Sequence, residues 1–326
     1  MQHGLRRTLT ALAGLAASSV TTLAGQAAVD PSIAPRAAQL ALRGQREQAT
    51  ELLGRYLATA PDDGSAWLEL GQLYLAASRE WHRRGHQGDP SGDLLLDFAA
   101  TAFDQALRLP TDSAALLRAM VQAERAAALV EAEGWRTARD GNTLVPGPEP
   151  SPDVLEAGRN LVNSCPVGGV LVTGSDLETV AVWSAVFDRH LRGDLVLVIA
   201  PRFLEDSLYR ERMVQALDLP GAPTLRVGLT EAAERRPVCV SPETDTAAVP
   251  VATLTVRRLV RWTGPAAPGS EAPLRIAELL QARLGRPNPV NTEVLGLYRL
   301  AAEFNPGLCF SVIAALDDHG PSGCSH

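Results

Sequence analysis

The chain has 326 residues, is 46% hydrophobic and 21% charged, and carries a formal net charge of −7. That length and balance suggest about two folded domains and exclude a disordered, collagenous or small disulfide-stapled protein. The acidic balance points away from a general nucleic-acid-binding surface. All 30 basic residues are arginine, so mechanisms that need a lysine, whether Schiff-base or Walker-type, are excluded.

The N-terminus pairs Arg6 and Arg7 with a mildly apolar run from Leu9 to Leu23 and small residues at Ala24, Gly25 and Ala27. This three-part pattern predicts a signal peptide over residues 1–27, cleaved after Ala27. An uncleaved anchor is the alternative, but Thr, Ser and Gly interrupt a run shorter than the roughly 20 apolar residues a spanning helix needs. The paired arginines also fit a twin-arginine signal, although no Phe-Leu-Lys follows Arg7. The expected mature protein is exported to a bacterial periplasm or beyond and has no membrane span.

An oxidising compartment makes the four cysteines candidate disulfides, with three possible connectivities. Cys309 and Cys324 are close in the chain and are the first expected pair. Cys165 and Cys239 are then either the second pair or two buried thiols. No CxxC occurs, so neither thioredoxin-like chemistry nor haem attachment is expected.

Residues 31–140 read as helices separated at Gly44, at Pro61-Asp62-Asp63-Gly64 and at Pro110-Thr111-Asp112-Ser113, with Asp or Ser expected to cap the following helix. Trp67, Leu70, Gly71 and Tyr74 reproduce the W-x2-L-G-x2-Y pattern, and this region resembles a tetratricopeptide repeat. Ala49, Leu53 and Pro61 fit the end of a preceding repeat, while Ala99, Phe103 and Ala106 fit the second helix after Trp67. Such an array stacks its helices and leaves a concave face for a protein partner. The polar insertion EWHRRGHQGDPSGD brings His82 and His86 together with Asp89 and Asp93. These could form a metal face, but the Gly- and Asp-rich context reads as a solvated loop, and no metal or other cofactor is expected. The segment from Ser113 to Asp140 supplies one or two further helices.

Residues 141–153 are Pro- and Gly-rich and read as an extended linker. Residues 154–326 then alternate between helical and strand patterns: a helix at DVLEAGRNLVNS, a strand at GGVLVTG, a helix of about four turns from Ser175, and a strand at GDLVLVIA. This predicts a βαβ unit with parallel strands and makes the fold class α + α/β. Further strands are expected at RPVCVS and VPVATLTVRRL, and a last helix at VNTEVLGLYRLAAEF.

Ligands of open α/β sheets sit beyond the carboxyl ends of strands, which singles out Thr173, Gly174, Ser175, Asp176 and Glu178 as a polar binding site for a sugar, a cation or a basic group. The competing reading is a capping box, Ser175-x-x-Glu178, with Asp176 at the positive end of the helix dipole. No G-x-G-x-x-G loop, G-x-S-x-G elbow or other catalytic constellation is present, and no catalytic residue is assigned.

Gly174, Asp176, Thr179, Trp183 and Asp194, with the downstream strands, resemble the soluble C-terminal portion of bacterial protein O-mannosyltransferase-like membrane proteins. The resemblance implies a shared accessory α/β domain. In that family glycosyl transfer belongs to a multi-span membrane part, so it is not carried over to this chain. The expectation is a non-catalytic interaction protein, a subunit or accessory factor of an envelope or membrane-associated assembly. A carbohydrate-binding or glycan-processing α/β domain is the alternative.

Overall fold

The computed structural model describes residues 29–84, 90–141, 148–219, 221, 224–245, 254–265, 273–285 and 288–316. The expected signal peptide, His86, Asp89, Cys324 and much of the expected linker lie outside the described residues.

The first half is helical: α1 (Ile33–Leu42), α2 (Arg46–Leu57), α3 (Gly64–Arg83), α4 (Pro90–Ala106), α5 (Ala114–Glu133) and α6 (Trp135–Gly141). The expected breaks end these helices in physically distinct ways. Gly44 takes a positive φ of 79° between α1 and α2. Asp63 caps α3 by accepting from Ala66 N at 3.0 Å, and its second oxygen accepts from the Tyr56 hydroxyl at 2.9 Å. Ser113 stands at the start of α5 but makes no capping hydrogen bond, contrary to expectation. Helix α3 also runs through Trp81 and His82 to Arg83, so the polar insertion is shorter than its composition suggests.

Helices α3 and α4 pack closely because Gly71 faces Phe103, and a Cβ at Gly71 would overlap that ring. Leu70, Ala99, Phe103 and Ala106 are buried, while Trp67 and Tyr74 are partly exposed. The Trp67 indole donates to Pro61 O at 2.7 Å, tying the helix back onto the turn before it. A small core joins α1 to α3 through Ala37, Leu53, Leu57, Ala66 and Leu73.

The second half begins with α7 (Pro152–Ser164), followed by β1 (Val170–Thr173) and α8 (Asp176–Trp183), which continues as a π turn over Ser184–Asp188. Next come β2 (Val196–Ile199), α9 (Ala200–Glu205), α10 (Ser207–Ala216), α11 (Leu225–Ala233) and β3 (Val238–Val240). The chain continues through β4 (Thr255–Arg257), β5 (Val260–Thr263), α12 (Ala277–Leu284) and α13 (Pro289–Phe304), and ends in short helical turns over Pro306–Leu308, Cys309–Ile313 and Ala314–Leu316.

The five strands are ordered β2-β1-β3-β5-β4. The expected parallel βαβ pairing is present, with Val170 opposite Val196 and Thr173 opposite Ile199. Strands β1 and β3 are also parallel, whereas β3–β5 and β5–β4 are antiparallel. Of the strand expected at VPVATLTVRRL, residues 249–253 lie outside the described residues, Thr255–Arg257 form β4, and the chain then turns at Arg258, with φ 54°, into β5. The apolar β1 and β3 are wholly buried, as strands covered on both faces should be, while edge strand β4 keeps Thr255 and Val256 exposed. Between β2 and β3 the described residues form three helices, with Asp206 separating α9 from α10 and capping the latter.

Cys165 and Cys239 form a disulfide that joins the end of α7 to β3. This resolves the choice between a bridge and two thiols. Cys309 is buried, while its expected partner Cys324 lies outside the described residues. One apolar core runs from α4, α5 and α6 into the sheet and on to α13. At the junction, Trp183 and Phe187 stack with centroids 4.8 Å apart, and Trp135 of α6 meets both edge-on. Among the described residues no helix is long and apolar enough to cross a membrane.

Candidate functional site

Beyond the carboxyl end of β1 the chain turns through Gly174 into α8. Ser175 caps that helix by accepting from Glu178 N at 3.2 Å. Glu178 does not complete the reciprocal bond to Ser175 N. Its carboxylate instead accepts from Gly174 N at 2.8 Å, from Glu243 N at 2.9 Å and from the Ser241 hydroxyl. Ser241 and Glu243 follow β3, so Glu178 fastens the β1 loop to the β3 loop. In a sheet of this strand order the crevice between those strands is the usual ligand position, and here a side chain of the protein fills it. Burial pushes the Glu178 carboxyl up to about 7, against the three hydrogen bonds that favour its charged form.

The other expected site residues are likewise bonded within the chain. Thr173 is buried with its hydroxyl 3.1 Å from that of Thr179, which donates to Ser175 O at 2.7 Å. Asp176 is the exception in position, because it faces outward, with its side chain 61% exposed. Both its oxygens accept from Arg79 of α3 at 3.1 Å, a two-point bond joining the helical half to the α/β half.

The open space lies on the β1/β2 side. A cavity of about 340 Å³ is lined by Ser175, Asp176 and Thr179 after β1, and by Ile199, Pro201, Arg202, Glu205 and Asp206 after β2. Ala76, Arg79, His82 and Arg83 of α3 and Met120, Ala123 and Glu124 of α5 close the other side. The local sequence explains the placement. Pro201 at the start of α9 turns the chain directly from β2 into a helix, bringing Arg202 inward. Glu124 and Glu131 are seven residues apart and therefore share one face of α5.

A chain of charges runs through this cavity. Arg79 Nε donates to Glu124 at 2.6 Å, Arg202 also bonds Glu124, and Arg202 Nε donates to Glu131 at 2.8 Å. The Arg202 guanidinium lies 5.6 Å from the centroid of the Tyr209 ring, and Arg83 reaches Glu205 at 3.0 Å. Asp206 accepts from Leu208 N and Tyr209 N, each at 3.0 Å.

Burial works to raise the Glu124 carboxyl, but Arg202 and Arg79 outweigh it and hold the group below its ordinary value. Glu131 goes the other way. Burial pushes it up to about 7, Arg202 opposes that shift, and neighbouring Asp206 adds to it. His82 is held below its usual value by burial and then by Arg202, which favours a neutral imidazole. Its side chain is 13% exposed, and its Nδ1 stands 3.6 Å from Glu131, beyond hydrogen-bond reach. Neither ring nitrogen has a hydrogen-bond partner among the described residues. His82 therefore sits on a helix against a charged cavity, rather than in a solvated loop as the sequence suggested. Asp93 is exposed in the first turn of α4.

The sequence reading missed Arg79, Glu124, Glu131 and Arg202. The available signal was the presence of ionisable residues within Ala- and Leu-rich helical faces, where an unpaired charge is costly. Among the described residues no three His, Cys, Asp or Glu side chains converge as metal ligands. Ser175, the one hydroxyl nucleophile beside Thr179 in the lining, has its oxygen committed to the α8 cap. The arrangement offers fixed donors and acceptors next to an apolar wall. No protein-family model, curated protein or solved structure matches the chain.

Proposed function

We propose that the chain is an exported, non-catalytic interaction protein. Its helical first half is an array similar to tetratricopeptide repeats and holds a protein partner within an envelope or membrane-associated assembly. The observation that carries this reading is an open groove of about 860 Å³ between α2, α3 and α4, where Leu73, Tyr74, Trp81 and Leu95 meet Arg46, Glu47, Glu51, Glu80 and Arg84. Tyr74 packs at 5.3 Å against Phe98, which is 44% exposed, and Leu94 one turn earlier is 51% exposed. Aromatic and apolar side chains bordered by mixed charge are what a peptide or helix docks against.

Export is supported by the three-part N-terminal pattern and by the Cys165–Cys239 disulfide, which suits an oxidising compartment. The resemblance to the soluble portion of O-mannosyltransferase-like membrane proteins rests on the sequence at Gly174, Asp176, Thr179, Trp183 and Asp194. Asp194 accepts from Gly168 N at 2.7 Å and so steadies the entry to β1.

The test is a photoreactive residue placed at Phe98 and, as a control, at exposed Val227 on α11, with cross-linking in exporting cells. A discrete protein adduct at position 98, lost on Tyr74→Glu and absent from position 227, is the expected result. The same adducts at both positions would sink the reading.

A further inference from the structure

We propose that the cavity between α3, α5 and the carboxyl ends of β1 and β2 binds a small uncharged polyhydroxylated molecule of monosaccharide size. This site is separate from the α2–α4 groove and does not depend on it. Three features of the cavity carry the assignment.

The first is charge. Three arginines and four carboxylates line the space, and the arginines are already paired: Arg79 with Glu124 and Asp176, Arg202 with Glu124 and Glu131, and Arg83 with Glu205. A phosphate or carboxylate ligand would have to compete with those acids for the same guanidinium protons. An amine would have to displace an arginine, because Asp176 and Glu205 are both engaged.

The second is the hydrogen-bonding character of the wall. Each paired guanidinium uses part of its five N–H donors, and each oxygen of Asp176 and Glu124 accepts one hydrogen bond among the described residues, leaving a lone pair. Donors and acceptors therefore alternate along Asp176, Arg79, Glu124 and Arg202 at fixed positions. A hydroxyl both donates and accepts, so neighbouring hydroxyls on one molecule match such a wall without introducing charge.

The third is shape. About 340 Å³ is within the range of small-ligand sites, and Ala76, Met120, Ala123, Ile199 and Pro201 supply an apolar wall for the C–H face of a ring. The cavity also occupies the general position for ligands of α/β sheets, outside the strand carboxyl ends.

The experiment is calorimetric titration of the full oxidised chain with glucose, galactose, mannose, ribose and myo-inositol, each separately. Inorganic phosphate and glycine serve as the charged comparisons. Saturable binding of at least one polyol at a Kd of about 1 mM or tighter, with none of phosphate or glycine, is expected. Ala123→Phe fills the cavity while leaving the charge pairs in place, and should weaken binding at least about tenfold, a step of about 1.4 kcal/mol. Asp176→Asn on the exposed rim, with circular dichroism checking the fold, should weaken it by a similar factor and covers the case in which Ala123→Phe misfolds. Failure of every polyol to bind, tighter binding of phosphate or glycine, or polyol binding unchanged by both substitutions would overturn the proposal. The photo-adduct at position 98 should persist in Asp176→Asn, so the two readings fail independently.

Discussion

Glu178 and Glu131 are two carboxyls that burial lifts from an ordinary 4.5 to about 7. Between those values the folded chain keeps protons that the unfolded chain has released, so stability contributed by each group is full below about 4.5 and is lost as pH rises through 7. His82 works in the opposite sense. Its lowered value gives stability that is present above the unfolded histidine pKa and lost as pH falls. The clean observable is therefore a difference between variants rather than the net slope. Urea unfolding at pH 5 and pH 8 should show Glu178→Gln closer to wild type at pH 5, where the native carboxyl is already neutral. The gap should change by on the order of 1–3 kcal/mol between the two pH values. An identical gap at both would mean that the Glu178 carboxyl does not titrate in this window. The sequence legibly placed Ser175 as a cap but sent Glu178 to the wrong partner. The donors it finds, Ser241 and Glu243, are more than 60 residues away, and only the β1–β3 pairing brings them near.

At the level of helices and strands, two glycines separate what a local pattern reveals from what it conceals. Gly71 was legible because the residues around it follow a repeat pattern, and it lies against the Phe103 side chain. Gly158 in α7 carried no such signal, yet a Cβ there would run into the carbonyl of Ala181 in α8. Gly71→Ala should destabilise by about 1–3 kcal/mol, and Phe103→Leu in the same chain should recover part of the loss, because a side chain can give way. Gly158→Ala meets backbone and should cost more than Gly71→Ala. Thermal unfolding of the single and double variants measures both, and an equal or smaller loss at Gly158 would show that α7 can shift away from α8. The antiparallel β4–β5 turn escaped the sequence reading for a related reason. Arg258 adopts a positive φ without the glycine or asparagine that normally announces such a turn.

Across the whole molecule, the Cys165–Cys239 bridge closes a loop with a sequence separation of 74 that holds β1, α8, β2, α9, α10 and α11. Cross-linking across that length restricts the unfolded chain, so Cys165→Ala with Cys239→Ala should lower stability by about 2–5 kcal/mol. Unfolding of oxidised wild type against the double variant checks this, and a difference under about 1 kcal/mol would show that the strand core alone holds the region. The same scale explains the cavity. The continuous core from α4 to α13 fixes α3 and α5 against the sheet, and the Arg79–Asp176 and Arg83–Glu205 pairs span the resulting gap.

The sequence by itself determined the helical first half, the parallel strand–helix–strand unit and the cap at Ser175. Each of these depends on residues within one or two turns or on the periodicity of an apolar face. Tertiary structure decided how the cysteines at 165 and 239 pair, which crevice is filled and which stays open, and that arginines and glutamates from α3, α5 and α9 meet in one cavity. Those outcomes depend on partners tens of residues apart, and the placement of a buried charge is set by which opposite charge the fold brings to it.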